Sequence, residues 1–254
     1  MKNKSIVFII IFLFISHLSS AVKVKKRFYF SWGYNHEWYA KNNINISQPS
    51  LQNNYSFLNV KGIDKPGWNE GIFKQDLTIP QYNYRLGYNI NTKWSGELNF
   101  DHTKYQVSEQ ILHVSGVYQG RAIDSTFNRT NSNLTYQLNN GANFFLFNAV
   151  RKFDVLHTTS SKINIKFLAK GGIGFMYPHV ENTIMGQNNK PHFQFGGFDA
   201  GLEACVQVNL FRIFYIEYSN KVIYAMYRNL RIYDGTASQN LACYQMILSL
   251  GVRF

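Results

Sequence analysis

The last segment of the chain constrains what the rest can fold into. Tyr244, Met246, Leu248, Leu250, Val252 and Phe254 are apolar at every second position. Between them Gln245, Ser249, Gly251 and Arg253 are polar or small, with Ile247 the exception. Successive side chains of a strand point to opposite faces, so this segment has one fully apolar face and one polar face. The pattern recurs upstream. Residues 27–39 set Phe28, Phe30, Trp32 and Tyr34 against Ser31, Gly33, Asn35 and Glu37; residues 78–90 set Tyr82, Tyr84, Leu86 and Tyr88 against Asn83, Arg85 and Gly87. Segments 94–106, 162–177, 193–208 and 212–228 alternate in the same way, and 141–153 is apolar on both faces.

That makes eight candidate strands, and the lengths of the connections between them carry further information. They span 40–77, 91–93, 107–140, 154–161, 178–192, 209–211 and 229–238, long and short in strict alternation. Membrane barrels have short periplasmic turns and long extracellular loops, and a strand wall in lipid must alternate while closing all its hydrogen bonds between strands. The reading is therefore all-β: one antiparallel transmembrane β-barrel of about eight strands, in the bacterial outer membrane. Segments 55–63 and 110–118 also look strand-like, so either the first hairpins project beyond the membrane or the barrel has ten strands.

Residues 1–21 are set aside as a signal peptide of a Gram-negative exported protein. Lys2 and Lys4 precede the apolar run Ile6 to Ile15, and Ser19-Ser20-Ala21 follows. That run is too short to cross a bilayer as a helix. Residues 22–254 are expected to form a single barrel domain. Tyr and Phe number 17 and 21 against 5 Pro, which suits long strands and interfacial aromatic belts. Setting aside Lys2 and Lys4 takes the formal charge from +12 to +10, an excess that favours anionic surfaces such as lipopolysaccharide phosphates. The expected partners are outer-membrane lipid, lipopolysaccharide and the barrel-assembly machinery. No nucleic acid is expected, and the protein is expected to be a monomer. Cys205 and Cys243 are the only cysteines and show no metal-ligand spacing; no metal or cofactor is expected, and no disulfide between them.

The run Ile79-Pro80-Gln81-Tyr82-Asn83-Tyr84-Arg85-Leu86-Gly87-Tyr88 and the run Asp101-His102-Thr103-Lys104-Tyr105 resemble an uncharacterised family of small bacterial outer-membrane β-barrel proteins. So do Asn140-Gly141-Ala142-Asn143 and the closing strand, whose terminal Phe254 is similar to the assembly signal of such barrels. More distantly the plan is similar to OmpA/OmpX/OmpW-type barrels. The resemblance implies a fold and a location.

Two groups of residues could carry function. The inward polar set comprises Arg85, Glu97, Asp101, Lys166, Lys170, Asp199, Glu203, Glu217, Lys221 and Arg253, in which both signs occur. An eight-stranded barrel is just wide enough for its own side chains, so these are expected to fill the lumen as paired charges. The second group is His113-Val114-Ser115-Gly116, which resembles the His-x-Ser-Asn pair of lipid A deacylases with Gly116 in place of Asn. Within the segment itself, Glu109 lies too far back to orient His113, and Asp124 would have to approach through a loop containing Gly116 and Gly120. The expectation is a structural or surface-interaction barrel that is not an enzyme, with a lipid A hydrolase or a narrow solute channel as alternatives. Gly171-Gly172-Ile173-Gly174 is read as a stretch of wall that needs small residues.

Overall fold

A computed structural model describes residues 26–67, 80–131, 133–138, 141–157, 163–211 and 213–254. The signal-peptide reading of 1–21 falls outside them. Eight strands form the barrel: β1 (Phe28–Tyr39), β2 (Tyr82–Asn89), β3 (Trp94–His102), β4 (Phe144–His157), β5 (Ile163–Met176), β6 (Gly197–Leu210), β7 (Phe214–Ile232) and β8 (Gly235–Arg253). Each pairs antiparallel with its neighbour in sequence, and β1 pairs with β8 from Tyr29–Arg253 to Tyr39–Cys243, which closes the ring. No backbone edge is left within the wall, the condition a strand structure in lipid has to meet.

The wall alternates as the sequence requires. Along β6, Leu202 and Phe198 are exposed while Asp199, Gly201, Glu203 and Cys205 are buried. The outward set continues around the ring in Leu86, Leu98, Phe147, Ile173, Val222, Leu248 and Leu250, all exposed on the outside of the closed sheet. Ile173 is 73% exposed and Leu202 72%, values that water would penalise and a hydrocarbon core rewards. Strand β4 reads as apolar on both faces because its inward Leu146 and Val150 join apolar clusters inside while Phe147, Phe153 and Val155 face out. Close strand approach explains the glycine run: a Cβ on Gly174 would stand 1.6 Å from the Phe145 carbonyl oxygen.

The ten-strand alternative is corrected. The strand-like segments in the long connections do not cross with the others; they form a folded head continuous with the upper barrel. Strand 42–48 pairs with the upper part of β8, Ser47 with Thr236 and Ile44 with Gln239. Strands 53–60, 111–118 and 121–128 follow in order, and among the described residues 121–128 is the free edge of this sheet. A second sheet runs through strands 62–64, 105–107, 134–138, 179–184 and 187–188. Ile44, Phe57, Tyr105, Leu112, Tyr136 and Tyr227 are among the buried side chains of one apolar core that reaches from the head down into the barrel.

Several expected boundaries move for the same reason. The connection expected over 229–238 is instead a hairpin, with β7 running to Ile232 and only Tyr233-Asp234 turning. Strand β4 runs to His157, past the expected turn start at 154. The expected strand 94–106 divides into β3 and the separate head strand 105–107.

Candidate functional site

The lumen is built by cross-strand rows. Lys170 on β5 stands opposite Glu203 on β6, Glu203 opposite Lys221 on β7, Lys221 opposite Gln245 on β8, and Gln245 opposite Glu37 on β1. Opposite charges at facing positions stabilise a strand pair, so Lys170, Glu203 and Lys221 alternate in sign and the neutral Gln245 links them to Glu37. The row feeds two clusters at different heights.

In the lower cluster two cations serve three carboxylates. Arg85 Nη1 donates to both oxygens of Glu203, at 2.6 and 2.8 Å, and lies 3.5 Å from Glu97. Lys170 Nζ donates to Glu217 at 2.7 Å and to Glu97 at 3.2 Å. Tyr29 donates its hydroxyl to Glu97 at 2.9 Å, Gln207 its amide to Glu217 at 2.8 Å, and Cys205 its thiol to Glu203 at 3.1 Å. All five charged side chains are at most 3% exposed. Removing such charges from water costs several kcal/mol per ion unless partners replace the lost hydration, which this arrangement does for the carboxylates. Arg85 Nε and Nη2 find no partner among the described residues.

In the upper cluster Lys221 Nζ donates to Asn99 and to Asp101, both at 2.5 Å, and Asn99 donates to Asp101 at 2.7 Å. Glu37 accepts from Tyr39, Gln245 and Asn35. Asp199 is buried nearby, and neither of its carboxylate oxygens has a hydrogen-bond partner among the described residues.

Eight of the ten expected lumen residues lie in these two clusters. The other two are displaced downward: Lys166 and Arg253 are half-buried at the periplasmic mouth. Lys166 pairs with Asp154 at 3.1 Å, and Arg253 donates to Gln207 at 2.6 Å while stacking on the Tyr215 ring at 4.7 Å. Glu37 joins the network although it is absent from the expected inward set; its place two residues from Asn35, in the inward phase of β1, is the signal for it. Phe254 is exposed outside the wall, stacked on Phe28 at 6.1 Å and exchanging both backbone hydrogen bonds with it.

Glu203, Cys205 and Glu217 bring three potential metal-ligand atoms within 4.8 Å of one another. Arg85 and Lys170 already occupy those carboxylates, and two fixed cations beside the site oppose a third. The thiols of Cys205 and Cys243 are free and buried. Cys205 pairs in register with Ser219 and Cys243 with Ile223, four residues apart on β7, or roughly 13 Å along a strand.

His113 and Ser115 lie in the head, on the hairpin of strands 111–118 and 121–128. Here the geometry corrects the sequence reading. Asp124 stands directly opposite Ser115 across the hairpin, and its carboxylate is 2.5 Å from His113 Nε2. An acid orienting the imidazole is therefore present without any loop rearrangement. No hydrogen bond joins His113 to Ser115, and both His113 and Asp124 are exposed. Gly116 departs from the deacylase pattern for a backbone reason: its φ is +138°, and a Cβ there would stand 2.5 Å from the Asn54 carbonyl oxygen.

A closed antiparallel ring with an apolar outer wall and a hydrogen-bonded charged interior defines an integral β-barrel protein of the bacterial outer membrane. No protein-family model matches the chain, and no curated protein matches it. Solved structures similar to it include Ail, the attachment invasion locus protein of Yersinia pestis, at 14% identity and TM-score 0.34, covering 91% of this chain and 100% of that one. Neisserial surface protein A is similar at 11% identity and TM-score 0.38, covering 89% and 97%. The outer-membrane protease OmpT of Escherichia coli is similar at 6% identity and TM-score 0.44, covering 93% and 99%. Values this low carry none of those proteins' roles to this chain. The expectation that the chain is not an enzyme is corrected to this extent: a protease stands among these structures, and they establish neither presence nor absence of catalysis in this chain.

Proposed function

We propose that this barrel is a surface-interaction protein, anchored by a lumen locked with paired charges and acting through its head. The observation that carries the reading is the head itself. Three long connections, which could have been bare loops, instead build two sheets over an apolar core shared with the upper barrel. A core of that size fixes an outward surface, and its free edge is strand 121–128, with Arg121, Asp124, Ser125 and Thr126 exposed. An unpaired strand edge offers backbone donors and acceptors to a partner, and charged side chains on it restrict which partner can add. The filled lumen supports the same reading, since Arg85, Lys170 and their three carboxylates occupy the barrel's cross-section.

The test compares a deletion strain complemented with the whole chain and with a head variant carrying Arg121→Ala, Asp124→Ala and Thr126→Ala. Loss of cell attachment to protein- or glycan-coated surfaces in the deletion strain, restored by the whole chain and not by the variant, is the expected result. A change in lipid A mass on deletion, or large porin-like conductance of the reconstituted protein, would overturn the reading.

A further inference from the structure

The periplasmic mouth of the barrel is unlike either lumen cluster. Below the Arg85–Lys170 cluster the barrel opens into a cavity of about 530 Å3. That volume lies within the ordinary range for small-molecule sites, roughly 300–1,000 Å3. Five cations line it: Lys26 and Arg27 where the chain enters β1, Lys152 on β4, Lys166 on β5 and Arg253 on β8. Asp154 pairs with Lys166, and among the described residues no acid lines the cavity itself. The carboxylates next above, Glu97, Glu203 and Glu217, are already engaged by Arg85 and Lys170.

The cations are held in place, not left to wander in solvent. Lys152 donates to Asn89, and Arg253 is fixed by Gln207, Asn209 and the Tyr215 face. Arg27, at the rim, donates to the hydroxyl of the outward-facing Tyr88 at 2.9 Å, so the other four cations carry the convergence. Burial, and then Arg253, hold the Lys26 ammonium below the ordinary lysine value, so the like charges interact. Like charges converging on one concave, partly dry space repel and destabilise the protein that holds them, unless an anion enters. Asn164, Gln207 and Asn209 add side-chain amides around the same space.

We infer that this mouth is a binding site for a phosphate-bearing anion presented from the periplasmic side. Phosphate suits it better than a single carboxylate. Several non-bridging oxygens can be shared among lysines arranged around a cavity, and a guanidinium matches two of them at once. The volume leaves room for an organic group beyond the phosphate. The source is either a soluble phosphate compound of the periplasm or the headgroup of an anionic phospholipid from the inner leaflet. This inference is independent of the head and its proposed role.

The test uses the full chain, refolded in a neutral detergent, and titrates inorganic pyrophosphate by calorimetry. A second arm compares thermal unfolding in phosphatidylcholine nanodiscs with and without phosphatidylglycerol. Lys152→Gln removes a charge inside the mouth, and Lys26→Glu reverses one outside the strands, where assembly of the wall is not at stake. If the ligand is soluble, pyrophosphate binds, binding weakens with added salt, and each variant lowers the affinity at least fivefold. If the ligand is a lipid, pyrophosphate is inert and phosphatidylglycerol raises the unfolding temperature by several degrees, a shift both variants abolish. Binding that neither variant changes, or no response in either arm, overturns the inference.

Discussion

Along β7 the inward side chains read Glu217, Ser219 and Lys221, and then Ile223, Ala225 and Tyr227. The strand keeps one phase as far as Tyr227, before a bulge at Arg228-Asn229 shifts it, yet the interior it faces changes from charged to apolar within a single step. Outside the same strand the order runs the other way, from Ile216, Tyr218 and Val222 to Arg228 and Arg231. The lower barrel is thus polar inside and apolar outside, and the head is the reverse. The contrast shows that solvent, more than strand geometry, sets which face carries the hydrocarbon. Where lipid surrounds the wall, the lumen is free to hold charges. Where water surrounds it, the interior must be apolar to hold two sheets together.

The sharpest way to break this comparison is topological, because the outcome is all or none. Epitope tags at 48, 125, 185 or 235, all in the head, should be reachable on intact cells, and a tag at 92, in the turn between β2 and β3, should not. External labelling at 92 would invert the barrel. Next in size is the lumen. Arg85→Met leaves three buried carboxylates with one lysine and should destabilise the barrel by about 3–5 kcal/mol, the usual cost of breaking a buried ion pair from one side. Adding Glu203→Leu should recover most of that loss, as measured by the unfolding midpoint of heat-modified mobility. If the double variant is as unstable as the single, the network does not behave as paired charges.

Leu112→Ala should cost about 2–4 kcal/mol, since the side chain is fully buried in the head core. The loss should appear as proteolysis of the head while the barrel remains intact; simultaneous loss of both would mean the two regions fold as one. Tyr227→Phe removes one hydrogen bond, from the phenol to the Ala142 carbonyl at 2.9 Å, and should cost about 0.5–1.5 kcal/mol. Ser115→Ala, on the exposed hairpin, should leave stability within about 0.5 kcal/mol. If Ser115→Ala or His113→Ala abolishes release of fatty acid from lipid A by the purified protein, the hairpin is a catalytic site and the head's role is chemical.

The barrel was legible because lipid imposes a rule that can be read residue by residue. Alternation marks seven of the eight strands, with β4 legible only as an apolar run, and it puts Arg85, Glu97, Lys170, Glu203 and Glu217 on inward faces. The pairing inside the lumen was not legible, because it depends on strand tilt: Lys221 faces Glu203 in register yet bonds Asp101 from across the lumen. The head was legible only as two strand-like fragments. Beside its two local hairpins, its pairings join segments far apart in sequence, such as 42–48 with β8, and no local pattern encodes those. Asp124 reaches His113 by a simpler route than the loop approach the sequence suggests: Gln119-Gly120 is a hairpin turn, and the cross-strand register sets the acid beside the histidine.

Strand β8 holds β1 along its lower part and the head strand 42–48 along its upper part. During synthesis every other strand is made before it. Until it arrives, the ring has two open edges, and the first sheet of the head has no attachment to the wall. Both regions therefore wait on the same final addition, made between segments some two hundred positions apart. Contacts of such range close slowly, because the loop they shut must be ordered before it is rewarded. A chain halted a few dozen residues early would carry nearly all its side chains and still have neither structure secured.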